Sequence, residues 1–151
     1  MKLCCAVMSF VLALSLLSCE EPTGYYNDDQ WGAIGNLTGT EWVLESVTYP
    51  DSEPEIYDDG INVYKFDADG RGWHRILWSL VEPSAKDVTT YFRWSFTTEN
   101  FAVIYMADSS ESFWLIEKLT PTELWVICAM QDPVLYPGTY QYRCRFGAVG
   151  K

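Results

Sequence analysis

After residue 37 the chain is a succession of short segments in which apolar and polar residues alternate, separated by turn residues. In residues 88–97, for example, Phe92, Trp94 and Phe96 alternate with polar neighbours. A period of two is typical of a β-strand that turns one face toward a core. The pattern predicts eight strands, at residues 40–49, 61–67, 71–81, 88–97, 101–106, 112–119, 123–130 and 139–146.

The connections between these segments are mostly short enough for hairpins. Asp69-Gly70 between two strand-like segments is a strong hairpin signal. Only residues 31–37 suggest a helix, a short one leading into the first strand. Successive hairpins favour an antiparallel meander, and closure removes its exposed edges. The sequence therefore predicts an all-β fold, a single antiparallel up-and-down eight-stranded barrel.

The first residues carry an export signal. Lys2 precedes an apolar stretch over residues 3–17, which is too short and too poorly flanked to be a spanning helix. The stretch ends in Leu-Leu-Ser-Cys at 16–19, which resembles the lipobox of bacterial lipoproteins. That resemblance implies cleavage before Cys19, acylation of its thiol and its new amine, and stable anchoring by several acyl chains, palmitate among them.

Three regions follow from this interpretation. Residues 1–18 are predicted to be the lipoprotein signal peptide, 19–36 the lipidated Cys19 with a flexible acidic tether, and 37–150 the barrel domain. The expected location is the outer membrane, lipid-anchored, with the barrel facing the periplasm or the cell surface. The membrane is then a partner through the lipid alone.

The net charge of the chain excludes one class of binding partner. Loss of residues 1–18 would leave nine basic residues against 21 acidic ones, a net charge of −12 on 133 residues. Phosphate backbones repel so acidic a chain, so we expect no nucleic-acid binding. The chain also contains 7 Trp, 10 Tyr and 7 Phe, which favour strands and line ligand cavities.

Three segments resemble lipocalin-like lipoproteins of the Bacteroidetes type. They are Leu-Thr-Gly-Thr-Glu-Trp-Val-Leu at 37–44, Tyr-Lys-Phe-Asp-Ala-Asp-Gly-Arg-Gly at 64–72 and Trp-Leu-Ile-Glu-Lys-Leu-Thr-Pro-Thr-Glu-Leu at 114–124. Two residues separate Gly39 from Trp42, whereas lipocalins proper have one. The resemblance also implies a basic residue of the last strand over that tryptophan, Arg143 or Arg145, although alternation places both on the face opposite Tyr142.

The resemblance implies a barrel able to hold one small apolar ligand. The candidate interior residues are Trp42, Tyr64, Phe66, Phe92, Trp94, Tyr140 and Tyr142, of which Trp42 rests on the resemblance. An eight-stranded barrel can also be filled by its own side chains, and the sequence leaves both possibilities open.

No enzymatic machinery is evident, and we expect none. His74 is the only histidine and has no nucleophile motif beside it, so it reads as an ordinary strand residue. Asp67, Asp69 and Gly70 suit a tight turn better than a calcium loop. The sequence therefore predicts no catalytic residues, no metal site and no cofactor.

Cys128 and Cys144 are the two thiols left once the signal peptide and Cys19 are set aside. They are equidistant from Tyr136, and a hairpin symmetric about that residue would place them directly opposite each other. Opposed Cα atoms are then about 4.5–5.5 Å apart, within disulfide range. An exported protein favours such a bond, and a slipped register would leave two buried thiols.

These observations predict a binding protein. The leading hypothesis is binding of a small apolar ligand inside the barrel. The alternative is a structural or accessory lipoprotein with a packed barrel, which binds a protein partner in a cell-envelope complex. An open cavity would favour the first, and a filled barrel with an exposed apolar patch the second.

Overall fold

The computed structural model describes residues 28–107 and 112–150. Helix α1 (Asp28–Thr38) is followed by nine strands. The strands are β1 Glu41–Thr48, β2 Glu55–Ile56, β3 Asn62–Phe66, β4 Arg71–Ile76, β5 Val88–Phe96, β6 Val103–Ala107, β7 Phe113–Leu119, β8 Glu123–Ala129 and β9 Gln141–Ala148. The predicted signal peptide, Cys19 and the first part of the predicted tether lie outside the described residues. In the part described, no helix is long and apolar enough to cross a membrane.

Eight strands close into one antiparallel barrel, which confirms the predicted fold. From β3 to β9 each strand pairs with the next, β3 also pairs with β1, and β1 pairs with β9 to complete the ring. A bulge between Leu44 and Ser46 bends β1. The two-residue strand β2, which the sequence did not predict, pairs with β1 opposite Ser46 and Val47 and extends the wall.

Two predicted boundaries differ from the structure by three residues or more. Helix α1 is longer than residues 31–37 and takes in the last part of the segment assigned to a flexible tether, because its end packs on the barrel and Leu37 is fully buried. Strand β4 ends at Ile76, not at 81, since a 3-10 turn at Trp78–Leu80 follows. The Asp87 carboxylate accepts the Ser79 N–H at 3.0 Å and so stabilises that turn.

The two ends of the barrel differ. At one end, called the base, lie α1 and the short turns after β3, β5 and β7. At the other, called the mouth, lie the connections 49–61, 77–87 and 130–140. Gly70 in the β3–β4 turn has a φ of +80°, a conformation that glycine adopts without strain. Tight turns and a helix close the base, whereas longer connections surround the mouth.

Large side chains fill the base. Trp42 and Phe66 are fully buried, and the Phe66 ring packs edge-on against Trp94 with centroids 5.6 Å apart. The indole N–H of Trp42 donates to the Leu37 carbonyl at 2.9 Å, which ties β1 to α1. The Phe92 ring lies against Gly72, where an added Cβ would also meet a backbone carbonyl at 2.6 Å. This half of the interior is a packed core.

Candidate functional site

A cavity of about 340 Å³ occupies the mouth half of the barrel. Its volume lies at the lower end of the range typical of small-molecule sites. Six of the eight barrel strands, all except β5 and β6, contribute to its wall. The lining residues are Leu44, Val47, Tyr49, Tyr57, Asn62, Tyr64, His74, Trp114, Cys128, Tyr142, Cys144 and Phe146. The barrel is therefore neither empty nor completely filled.

Aromatic rings dominate the cavity wall. Tyr64 stacks on His74 with centroids 4.1 Å apart, and Trp114 stacks on Phe146 at 5.0 Å. The Tyr64 ring also contacts Trp114 at 5.1 Å, which joins the two stacks. The His74 Nε2 lies 3.2 Å from the Asn62 Oδ1. The wall thus offers flat apolar faces together with a few hydrogen-bonding groups.

Trp114 brings an unusual donor to this wall. Its side chain is buried, and its indole N–H has no hydrogen-bond partner among the described residues. A buried donor without a partner costs about 1–3 kcal/mol. Of the three buried tryptophans, the two at the base, Trp42 and Trp94, both donate to backbone carbonyls.

The seven predicted interior residues separate into three groups. Tyr64 and Tyr142 line the cavity, as proposed. Trp42, Phe66, Phe92 and Trp94 are buried but belong to the packed core at the base. The placement of Tyr140 inside the barrel was wrong: it precedes β9 in the 130–140 connection and is 64% exposed. Alternation gave the correct face within strands, but it cannot show where a strand begins.

Several cavity residues were not foreseen. The sequence predicts an ordinary strand residue at His74, whereas the structure places its ring in the cavity wall. Tyr57 belongs to a loop that carried no strand pattern. Trp114 lies in a run of four apolar residues, 113–116, which does not show which face of the strand is inward. The resemblance implied that Arg143 or Arg145 covers Trp42. Instead, the Arg145 guanidinium lies over the ring of Trp125 on the outer surface, 4.2 Å from the ring centroid.

The two cysteines are neighbours, although not in the predicted register. Cys128 pairs with Tyr142, and Cys144 pairs with Val126, so the direct opposition was wrong by two residues. Both side chains are buried and lie on the same face, with Sγ atoms 3.4 Å apart. The Pro-containing 130–140 connection is not symmetric about Tyr136, which explains the slip. The disulfide itself stays a prediction.

The charge around the mouth is negative. The 49–61 connection carries Asp51, Glu53, Glu55, Asp58 and Asp59 without a basic residue. No lysine or arginine is among the residues that line the cavity in the described part of the chain. Burial raises the pKa of Tyr57, and a hydrogen bond from its hydroxyl to Glu55 raises that pKa further. The phenol therefore keeps its proton and donates a hydrogen bond to the carboxylate.

Within residues 28–107 and 112–150, no cluster of three or more His, Cys, Asp or Glu side chains is placed to hold a metal ion. The arrangement is suited to binding by shape, ring stacking and a few hydrogen bonds.

Comparison with known proteins supports the same architecture. No protein-family model matches the chain, and no curated protein matches it. Among solved structures, it is similar to a lipocalin-like protein from Bacteroides uniformis, with a TM-score of 0.52. The fold is lipocalin-like. Sequence identity is 18%, and the match covers 76% of this chain and 99% of the other. At that identity the likeness concerns the fold of the lipocalin-like barrel alone.

Proposed function

We propose that this protein is a lipid-anchored binding protein whose lipocalin-like barrel takes a small, largely apolar ligand into its mouth-side cavity. The observation that carries the proposal is the cavity itself, about 340 Å³ lined mainly by aromatic and aliphatic side chains. Such a site recognises a ligand by buried apolar surface, with a few polar groups fixing its orientation. The function is binding, without catalysis.

The binding test uses the polypeptide from residue 20 onward, since the closed barrel and its helix lie within residues 28–150. An apolar fluorophore such as N-phenyl-1-naphthylamine should bind saturably, with enhanced emission. Tyr142→Ala should weaken binding by about tenfold, because a buried aromatic contact of roughly 1.5 kcal/mol is lost.

Tyr91→Ala provides the matched control, since Tyr91 is 72% exposed and does not line the cavity. That variant should bind as the parent does. Absence of saturable binding across a broad apolar panel would refute the ligand proposal.

The anchor proposal rests on the lipobox-like residues ending in Cys19. Cys19→Ser in the full chain should abolish acylation and release the protein from the membrane fraction. Retention of the variant in the membrane, with unchanged mass and mobility, would contradict lipid anchoring. The outer membrane as its location is tested by fractionation of the same cells.

A second candidate function is docking of an envelope protein at the mouth. Exposed large apolar side chains occupy two of its connections: Trp78, Leu80 and Val81 in one, and Val134, Leu135 and Tyr136 in the other. Apolar residues gathered in this way often mark interaction sites. Leu135→Ser should reduce the size of a native complex extracted from the envelope while leaving fluorophore binding unchanged. An unchanged complex size would remove this candidate.

A further inference from the structure

The short strand β2 places one carboxylate at the mouth of the cavity. Glu55 lies opposite Val47 in the antiparallel register, and directly opposed residues project to the same face. Val47 is buried and lines the cavity, so Glu55 projects to the cavity side. Glu55 itself is exposed and is not part of the cavity lining, which it adjoins through its contact with Tyr57.

This carboxylate is held against the aromatic wall. Its Oε2 accepts a hydrogen bond from the Tyr57 hydroxyl at 3.2 Å, and the Tyr57 ring lines the cavity. Beyond it lie Tyr49 and Tyr142, whose ring centroids are 5.4 Å apart. The faces of tyrosine rings carry partial negative charge and attract cations. Formal and partial negative charges thus lie at the same end of the cavity.

Each alternative head group fits this mouth less well. An anion would lie beside Glu55 without a lysine or arginine from the described lining to pair with it. A neutral head group would gain nothing from the carboxylate. A cation gains from Glu55, from the ring faces and from the acidic 49–61 connection, whose field also attracts it from solution.

We therefore propose, resting on the ligand-binding function above, that the natural ligand is an apolar or aromatic molecule with one positively charged end, such as an alkylated amine. Its apolar body lies between the rings of Tyr64, Trp114 and Tyr142. Its charged end lies at the mouth, between the Glu55 carboxylate and the Tyr57 and Tyr49 rings.

Three dansyl amides with the same short linker test this assignment, with tails ending in trimethylammonium, tert-butyl or carboxylate. The first two are nearly isosteric, so their ratio of affinities reports charge alone. The polypeptide from residue 20 onward should bind the cationic compound about five- to tenfold more tightly than the tert-butyl compound, and the carboxylate most weakly. Added salt should reduce the preference, because it screens exposed charges.

Two matched variants locate the effect. Glu55→Gln should lower the affinity for the cationic compound about threefold, the size expected for an exposed ion pair, and leave the tert-butyl compound unaffected. Glu99→Gln removes the same charge from an exposed turn at the base and should change neither. If Glu55 serves only to fix the loop, Glu55→Gln will instead change both affinities, or the thermal stability, and leave their ratio constant.

The outcomes separate the two proposals. Equal binding of the cationic and tert-butyl compounds, or tighter binding of the carboxylate, would overturn the cationic ligand while leaving the binding function standing. Failure of all three compounds to bind would overturn both. A preference for the cation that survives Glu55→Gln undiminished would overturn the assigned place of its charged end.

Discussion

The base and the mouth of this barrel both contain large aromatic residues, but the packing and hydrogen bonding of these residues differ between the two ends. At the base, Trp42 and Trp94 are packed among other rings, and both indole N–H groups donate to backbone carbonyls. Toward the mouth, the rings of Tyr64 and Trp114 border open space. The Trp114 N–H has no partner among the described residues.

The difference shows what aromatic content can and cannot indicate. Rings at the base lie under tight turns and the helix, so their apolar surface is buried against other side chains and stabilises the fold. Rings toward the mouth line the cavity beneath longer connections, and those of Tyr64 and Tyr142 are only partly buried, so part of their surface remains for a ligand. Loop length, rather than aromatic alternation, separates the core from the site.

The sharpest test of this contrast is Trp42→Ala. Because Trp42 is fully buried and tied to Leu37, we expect the free energy of unfolding to fall by about 3–5 kcal/mol, measured by urea denaturation. The matched variant at the mouth is Tyr140→Ala, which removes an exposed ring and should cost no more than about 0.5 kcal/mol. Similar losses in the two variants would show that the buried Trp42 ring does not stabilise the fold.

The cysteine pair tests whether the mouth half gains stability from a covalent link. The Sγ atoms of Cys128 and Cys144 are 3.4 Å apart and would have to approach to about 2.05 Å. A disulfide closing a loop of this length should stabilise the fold by roughly 3 kcal/mol in the chain-entropy model. Urea denaturation with and without reductant should show that difference, and the unreduced protein should be two protons lighter.

Cys144→Ser is the control, since its stability should not respond to reductant. The decisive sample is protein isolated from the cell envelope under conditions that prevent exchange. If both thiols there react with a maleimide after denaturation without reductant, the disulfide prediction is wrong.

Sequence reasoning succeeded where a local rule decides the outcome. Alternation placed Phe66, Phe92 and Trp94 on the inner face, and an Asp-Gly pair located the β3–β4 hairpin at Gly70. These outcomes depend on the strand period and on backbone sterics, which act over a few residues.

Prediction from the sequence failed where contacts between distant residues determine the structure. The register of Cys128 depends on the conformation of an eleven-residue connection with two prolines, which no local rule fixes. Tyr57 enters the cavity because β2 pairs with β1, and a two-residue strand has no sequence signal of its own. Helix α1 forms beyond its weak pattern because packing of Leu37 on the barrel stabilises it.

The smallest expected effect concerns Tyr57, the phenol that links the wall to the acidic mouth. Its pKa is raised above 10.0 by burial first and by the hydrogen bond to Glu55 second. The folded state therefore holds this proton more tightly than the unfolded state does. The resulting stability is fully present below the unfolded pKa, near 10, and is lost as pH rises through the higher folded pKa.

Phenolate absorbance at 295 nm, as a difference between the parent and Tyr57→Phe, isolates this titration. Glu55→Gln should reduce the upward shift without abolishing it, because burial is the larger cause. A Tyr57 that titrates at or below the pKa of free tyrosine would mean that its ring is solvated, and the mouth would then lack one of the walls assigned to it.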